Sequence, residues 1–85
     1  MKEIRIIGLL ISDRIKEAGL TQAVLSEYAH IIKSRLGFHE VNEDICSRVG
    51  FIILQLDGDP EEFDRLETKL NQIGGIEIHH MIFKI

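Results

Sequence analysis

The stretch RVGFIILQLDG, residues 48–58, constrains this chain more than any other. A run of this β-branched and aliphatic character reads as a strand, and its apolar residues occupy both parities, so both faces of that strand need cover. A chain of 85 residues has room for one domain and one small core. Its second apolar face therefore points outside the chain.

The flanking segments set the architecture. Ile4 to Ile11 is another two-faced strand, with Ile4, Ile6 and Leu10 on one parity and Ile7, Leu9 and Ile11 on the other. From about Arg14 to Ala29 the apolar positions Ile15, Ala18, Leu20, Val24, Leu25 and Tyr28 follow helical spacing, with Ser12 or Asp13 placed to cap. Ile31 to Gly37 alternates, and Lys33 and Arg35 suit a sheet edge. FHEVNEDICS is polar and aperiodic, a connection into a third strand from about Arg48 to Leu56.

DGDPEEF marks the second helix: Asp59 caps, Pro60 takes the first helical position and Glu62 stands where a capping box places it. Phe63, Leu66, Leu70 and Ile73 form its apolar stripe, and Gly74 and Gly75 stop it. The last strand, Ile76 to Ile85, has Ile76, Ile78 and Ile82 on one parity and Met81, Phe83 and Ile85 on the other. The order βαββαβ predicts a single α+β domain, residues 1–85, of ferredoxin-like type: a four-stranded antiparallel sheet with two helices on one face. Strands one and three are central in that topology, and they are the most apolar here. Two helices cover one face, so the other is expected to join copies of the chain as a homodimer or homotetramer.

Composition excludes several functions. A net charge of −4 argues against direct nucleic-acid binding, which rests on clustered Lys and Arg. The RVGFIILQL strand faintly resembles the RNA-recognition signature but lacks its stacking aromatics. No apolar run approaches the ~20 residues of a membrane span, and Glu3 and Arg5 interrupt the first one. A lone cysteine, Cys46, allows no internal disulfide and fits a reducing cytoplasm.

Catalysis finds no support, since no nucleophile stands beside a base and no phosphate-cradling loop follows the first strand. His30, His39, His79, His80 and Cys46 carry metal-ligand chemistry, but no His-x-His or Cys-x-x-Cys spacing joins them, and the adjacent His79 and His80 face opposite ways on a strand. No cofactor and no metal are expected, with a nickel-type metal sensor as the alternative reading. The turn ISDRIKEAG is the expected small-ligand site, through Ser12, Asp13 and Gly19, because backbone N–H groups come free where a strand ends and a helix begins.

The segments LSEYAHIIKSRLG (residues 25–37) and LETKLNQIGGI (residues 66–76) resemble the iron-only hydrogenase system regulators, a family of ACT-like domains, and GLTQAVLSEYA is similar to the first helix of ACT domains generally. The resemblance covers almost the whole chain. It implies a ferredoxin-like fold, assembly through the sheet, no catalysis, and kinship with the C-terminal sensing domain of the nickel-responsive repressor. The chain departs from the family pattern at Ala29, at Leu36 and in FHEVNED, and the repressor's histidine–cysteine site has no residue-by-residue match. The expected role is a cytoplasmic regulatory module that senses a small molecule or modulates a protein partner.

Overall fold

The computed structural model describes residues 2–38 and 49–85. Its elements run β1 (Glu3–Ile11), α1 (Arg14–Glu27), a 3₁₀ turn (Ala29–Ile31), β2 (Ile32–Phe38), β3 (Gly50–Asp57), α2 (Pro60–Asn71) and β4 (Ile76–Lys84). The strands form one sheet in the order β2-β3-β1-β4, antiparallel throughout. This is the expected ferredoxin-like arrangement with β1 and β3 in the centre. Phe38, expected in the connection, instead ends β2 opposite Phe51; the rest of that connection and position 48, the expected start of the third strand, lie outside the described residues.

Register divides the residues between the faces. Ile7 pairs with Leu54 and His80, and Leu9 with Ile52 and Ile78; this parity meets the helices. Ile7, Leu9, Ile11, Ile52, Leu54 and Leu56 are buried there against Leu25, Tyr28 and Ile31 and against Phe63, Leu66, Leu70 and Ile73 of α2 and its end. The whole α2 stripe read from the sequence is thus in the core. Each such aliphatic side chain contributes about 1.5–3 kcal/mol on burial.

α2 starts as its sequence dictates, with one difference. Asp59 Oδ1 accepts from the Glu61 N–H at 3.0 Å, and Pro60 opens the helix. Glu62, however, turns to the His30 ring instead of closing a capping box. Gly58 enters this corner at φ +133°, and a Cβ there would meet Ile31 at 3.3 Å. The glycine pair is not the helix stop expected of it: α2 ends at Asn71 and is capped by Gln72 in right-handed geometry, and Gly75, at φ +80°, makes the turn that leads into β4 instead.

α1 corrects the sequence reading. It ends at Glu27 rather than Ala29, and the chain passes through the 3₁₀ turn into β2. Leu20, expected on the apolar stripe, is 60% exposed, while Thr21 is buried in its place with Leu25 and Tyr28. Leu25 and Tyr28 are buried as expected and Val24 packs against the core, so the stripe keeps its second half, while at its first half Thr21 replaces Ala18 and Leu20, which are exposed. A shift of register between Ile32 and Ser34 bulges the edge strand β2 and lets Lys33 Nζ reach Asp57 at 3.6 Å.

Candidate functional site: the open face of the sheet

The parity that turns away from the helices carries Ile4, Ile6, Gly8 and Leu10 from β1, Phe51, Ile53 and Gln55 from β3, Ser34 and Leu36 from β2, and Glu77, His79, Met81 and Phe83 from β4. Leu36, Phe51, Ile53, Met81 and Phe83 are between 39% and 60% exposed. Contributed by β2, β3 and β4, they join the partly buried Ile4, Ile6 and Leu10 of β1 in one apolar surface of the kind that marks an interaction site. The two-faced character of β3 follows directly: Ile52, Leu54 and Leu56 fill the core while Phe51 and Ile53 stand on the open side.

The face is dented at its centre. Gly8 pairs with Ile53 on one side and His79 on the other, and nothing lies within 4 Å of where its Cβ would stand. Two shallow apolar depressions meet there. One, of about 270 Å³, is lined by Ile6, Gly8, Ile53 and Met81 together with His79 and His80. The other, of about 250 Å³, extends past Leu10 and Phe51 to Glu77. Polar groups sit toward the margins: His79 Nε2 lies 2.6 Å from Glu77 Oε2, and Ser34 Oγ donates to Gln55 Oε1 at 3.1 Å.

The residues expected to hold a small ligand lie at the end of β1. The Ser12 N–H donates to the Gly75 carbonyl at 2.9 Å, which ties this turn to the turn before β4. Asp13 Oδ1 accepts from the Lys16 N–H at 3.1 Å, the capping role expected of it. Gly19 is exposed on α1, six positions beyond Asp13 and about 9 Å further along the axis. Ser12 and Asp13 therefore stand together at the turn, and Gly19 stands apart on the helix.

His79 and His80 point to opposite faces, as the strand period requires: His79 pairs with Glu77 on the open side and His80 Nδ1 lies 2.9 Å from Glu67 Oε1 beneath the helices. Among the described residues, no three His, Cys, Asp or Glu side chains come together as a metal site would need. His39 and Cys46 lie outside the described residues.

An ionic cluster on the helix side was missed from sequence. Arg5, a residue that there only interrupts an apolar run, is buried where the helix layer ends. Its guanidinium donates to Glu3 at 2.8 Å, Asp64 at 2.7 Å and Glu67 at 2.5 Å and lies 5.4 Å from the Phe63 ring centroid. Burial works against its charge, yet the hydrogen bonds it donates to Asp64, Glu3 and Glu67 raise its pKa overall. The available signal was parity, because Glu3 and Arg5 share the inward side of β1 with Ile7.

Comparison with known proteins adds a family and a fold. Residues 3–80 match the TM1266-like family, described as "Iron-only hydrogenase system regulator, putative". The solved structure of the uncharacterized protein TM1266 from Thermotoga maritima superposes with a TM-score of 0.83 at 26% identity, over 99% of this chain and all of that one. SnoaB, a cofactor-independent oxygenase from Streptomyces nogalater, is similar in fold alone, with a TM-score of 0.58, 12% identity, and coverage of 100% of this chain and 94% of that one. So is a dimeric ferredoxin-like protein of unknown function from Thermobifida fusca, with a TM-score of 0.50, 13% identity, and coverage of 99% and 92%. No curated protein sequence matches the chain.

Proposed function

Since the chain belongs to the TM1266-like family of iron-only hydrogenase system regulators, we propose that it is a non-catalytic regulatory module, working as a homo-oligomer joined through the open sheet face. The observation that carries this reading is the apolar surface drawn from four strands, which one copy of the chain leaves in water. Burial of that surface against a second copy supplies the drive to assemble. A dimer or a tetramer satisfies it, in the cytoplasm, with neither membrane nor direct nucleic-acid contact.

A small molecule sensed at the turn of Ser12 and Asp13, with Gly19 along the helix, would regulate such an assembly by binding one arrangement better than another. The same assembly would modulate a protein partner if that partner distinguished the two arrangements. Support for this turn is its position: it ends a central strand, opens α1 and is tied through Ser12 to Gly75.

Light scattering after size exclusion tests the oligomeric reading. A mass of two or more chains at micromolar concentration is expected, and a clean monomer of 9.7 kDa would overturn it. A thermal-shift screen of amino acids and anionic metabolites tests the sensing reading. A hit is expected to weaken with Asp13→Ala and with Gly19→Val. Ligand-induced amide shifts confined to residues 38–44 would move the site elsewhere.

A further inference from the structure

Gly8 stands in the middle of a central strand with no reason for a glycine inside its own chain. Its φ is not positive, since only Gly58 and Gly75 have that property among the described glycines. The pairing of β1 with β3 and with β4 runs through it without a bulge. A Cβ there would meet nothing within 4 Å. Glycine inside a strand weakens it, and where neither conformation nor bulge explains it, it marks the close approach of something from outside.

Resting on the oligomeric reading above, we propose that a second copy of this chain fills the notch with its Ile53 side chain, and receives the first copy's Ile53 over its own Gly8. The geometry selects this pair. Gly8 and Ile53 are cross-strand partners on the two central strands. A two-fold axis running along the strands, midway between β1 and β3 and between two facing sheets, carries β1 of one copy onto the position opposite β3 of the other. Gly8 then lies opposite Ile53 twice, which is the reciprocal contact an isologous interface requires. An axis across the strands would instead set Ile53 against Ile53 and leave both notches empty.

Ile53 is suited to the role: it is 40% exposed and borders both depressions around Gly8. The area suffices as well. With β1 and β4 nine residues long, strands about 4.8 Å apart rising about 3.3 Å per residue make a face of roughly 30 by 19 Å, so two copies cover about 1,100 Å² in projection. That reaches the ~1,000 Å² expected of a specific interface. His79 and Glu77, paired with each other near the margin, need no partner from the second copy.

The test uses two full-length variants and their mixture. Gly8→Leu fills the notch, and its self-dimer should dissociate at least about tenfold more readily than the wild type, as overpacking predicts. Ile53→Ala removes the knob and should also weaken its own dimer. Mixed, the two should form a heterodimer tighter than either self-dimer. In it the filled notch of one chain faces the truncated knob of the other, and the second contact keeps the native Gly8 and Ile53. Native mass spectrometry of the mixture reads this directly, and heterodimer forms only if both chains fold. A wild-type monomer overturns the oligomeric reading itself. A wild-type dimer whose Gly8→Leu variant self-associates equally well, or variants that mix without preference, overturns the notch alone and leaves assembly through another contact or a small ligand at Gly8.

Discussion

Arg5 Nη1 donates to Glu67 Oε2 at 2.5 Å across 62 positions of sequence, joining the first strand to the second helix at the edge of the core. Removing a partner from a buried ion pair leaves uncompensated charge and costs about 3–5 kcal/mol. Asp64 is 70% exposed and regains water, so Arg5→Met should cost about 3 kcal/mol, at the low end of that range. Arg5→Lys, which keeps charge but loses the planar fork, should fall between. Urea unfolding midpoints at constant slope measure both.

Thr21 is 1% exposed, and its Oγ1 has no hydrogen-bond partner. A buried hydroxyl without a partner costs about 1–3 kcal/mol. Thr21→Val should therefore raise stability by about 1 kcal/mol, while Thr21→Ser should lower it by removing a methyl from the core. Thermal unfolding of the pair separates the hydroxyl from the methyl.

Stability should decline on both sides of neutrality. Hydrogen bonds from Lys84 and then Arg5 hold Glu3 below its ordinary 4.5, and Lys2 holds Asp57 below 3.8. These carboxylates stabilise the fold fully above their unfolded values, and the benefit disappears as pH falls through their lower folded values. Lys69 is raised above 10.5, chiefly by its hydrogen bond to Glu27. Its contribution is complete below 10.5 and is lost as pH rises through the higher folded value. Melting temperatures should be flat between these limbs, with Glu3→Gln flattening the acid limb and Lys69→Gln the alkaline one.

Purified without a tag, the protein should carry no stoichiometric nickel, copper or zinc. Both strand histidines already lie against carboxylates, on opposite faces of β4. Elemental analysis checks this. One metal per chain, lost on His39→Ala or Cys46→Ala, would instead establish the metal-sensing role.

Strand order and the α2 core stripe were legible because they follow from local signals: two-faced runs, and Asp59 with Pro60. The first half of the α1 stripe was not. Val24, Leu25 and Tyr28 were read correctly, but a polar Thr21 and an apolar Leu20 stand side by side where the stripe continues, and only the layer packed against the helix decides that Thr21 is the buried one. Arg5 illustrates the same limit, since its carboxylates on α2 lie 59 and 62 positions away and no period in the sequence connects them. At the turn after β1, Ser12 and Asp13 were legible as a helix start, and Asp13 has that capping role. The surplus apolar parity of β1, β3 and β4 was plain from sequence, but the dent at Gly8 became visible only when register set it beside Ile53.

The pairing of β1 with both β3 and β4 also governs how the molecule must be made. The first strand of the sheet is central, yet both its neighbours come later in the chain: Ile4 meets Asp57 on one side and Phe83 on the other. Until then its aliphatic residues wait without a partner, and only the β2-β3 pair can form locally. Contacts so distant in sequence slow folding. Nascent chains halted before β4 would therefore expose a long, unpaired, sticky edge, which makes the arrival of Ile76–Lys84 a checkpoint for chaperone dependence and aggregation during synthesis.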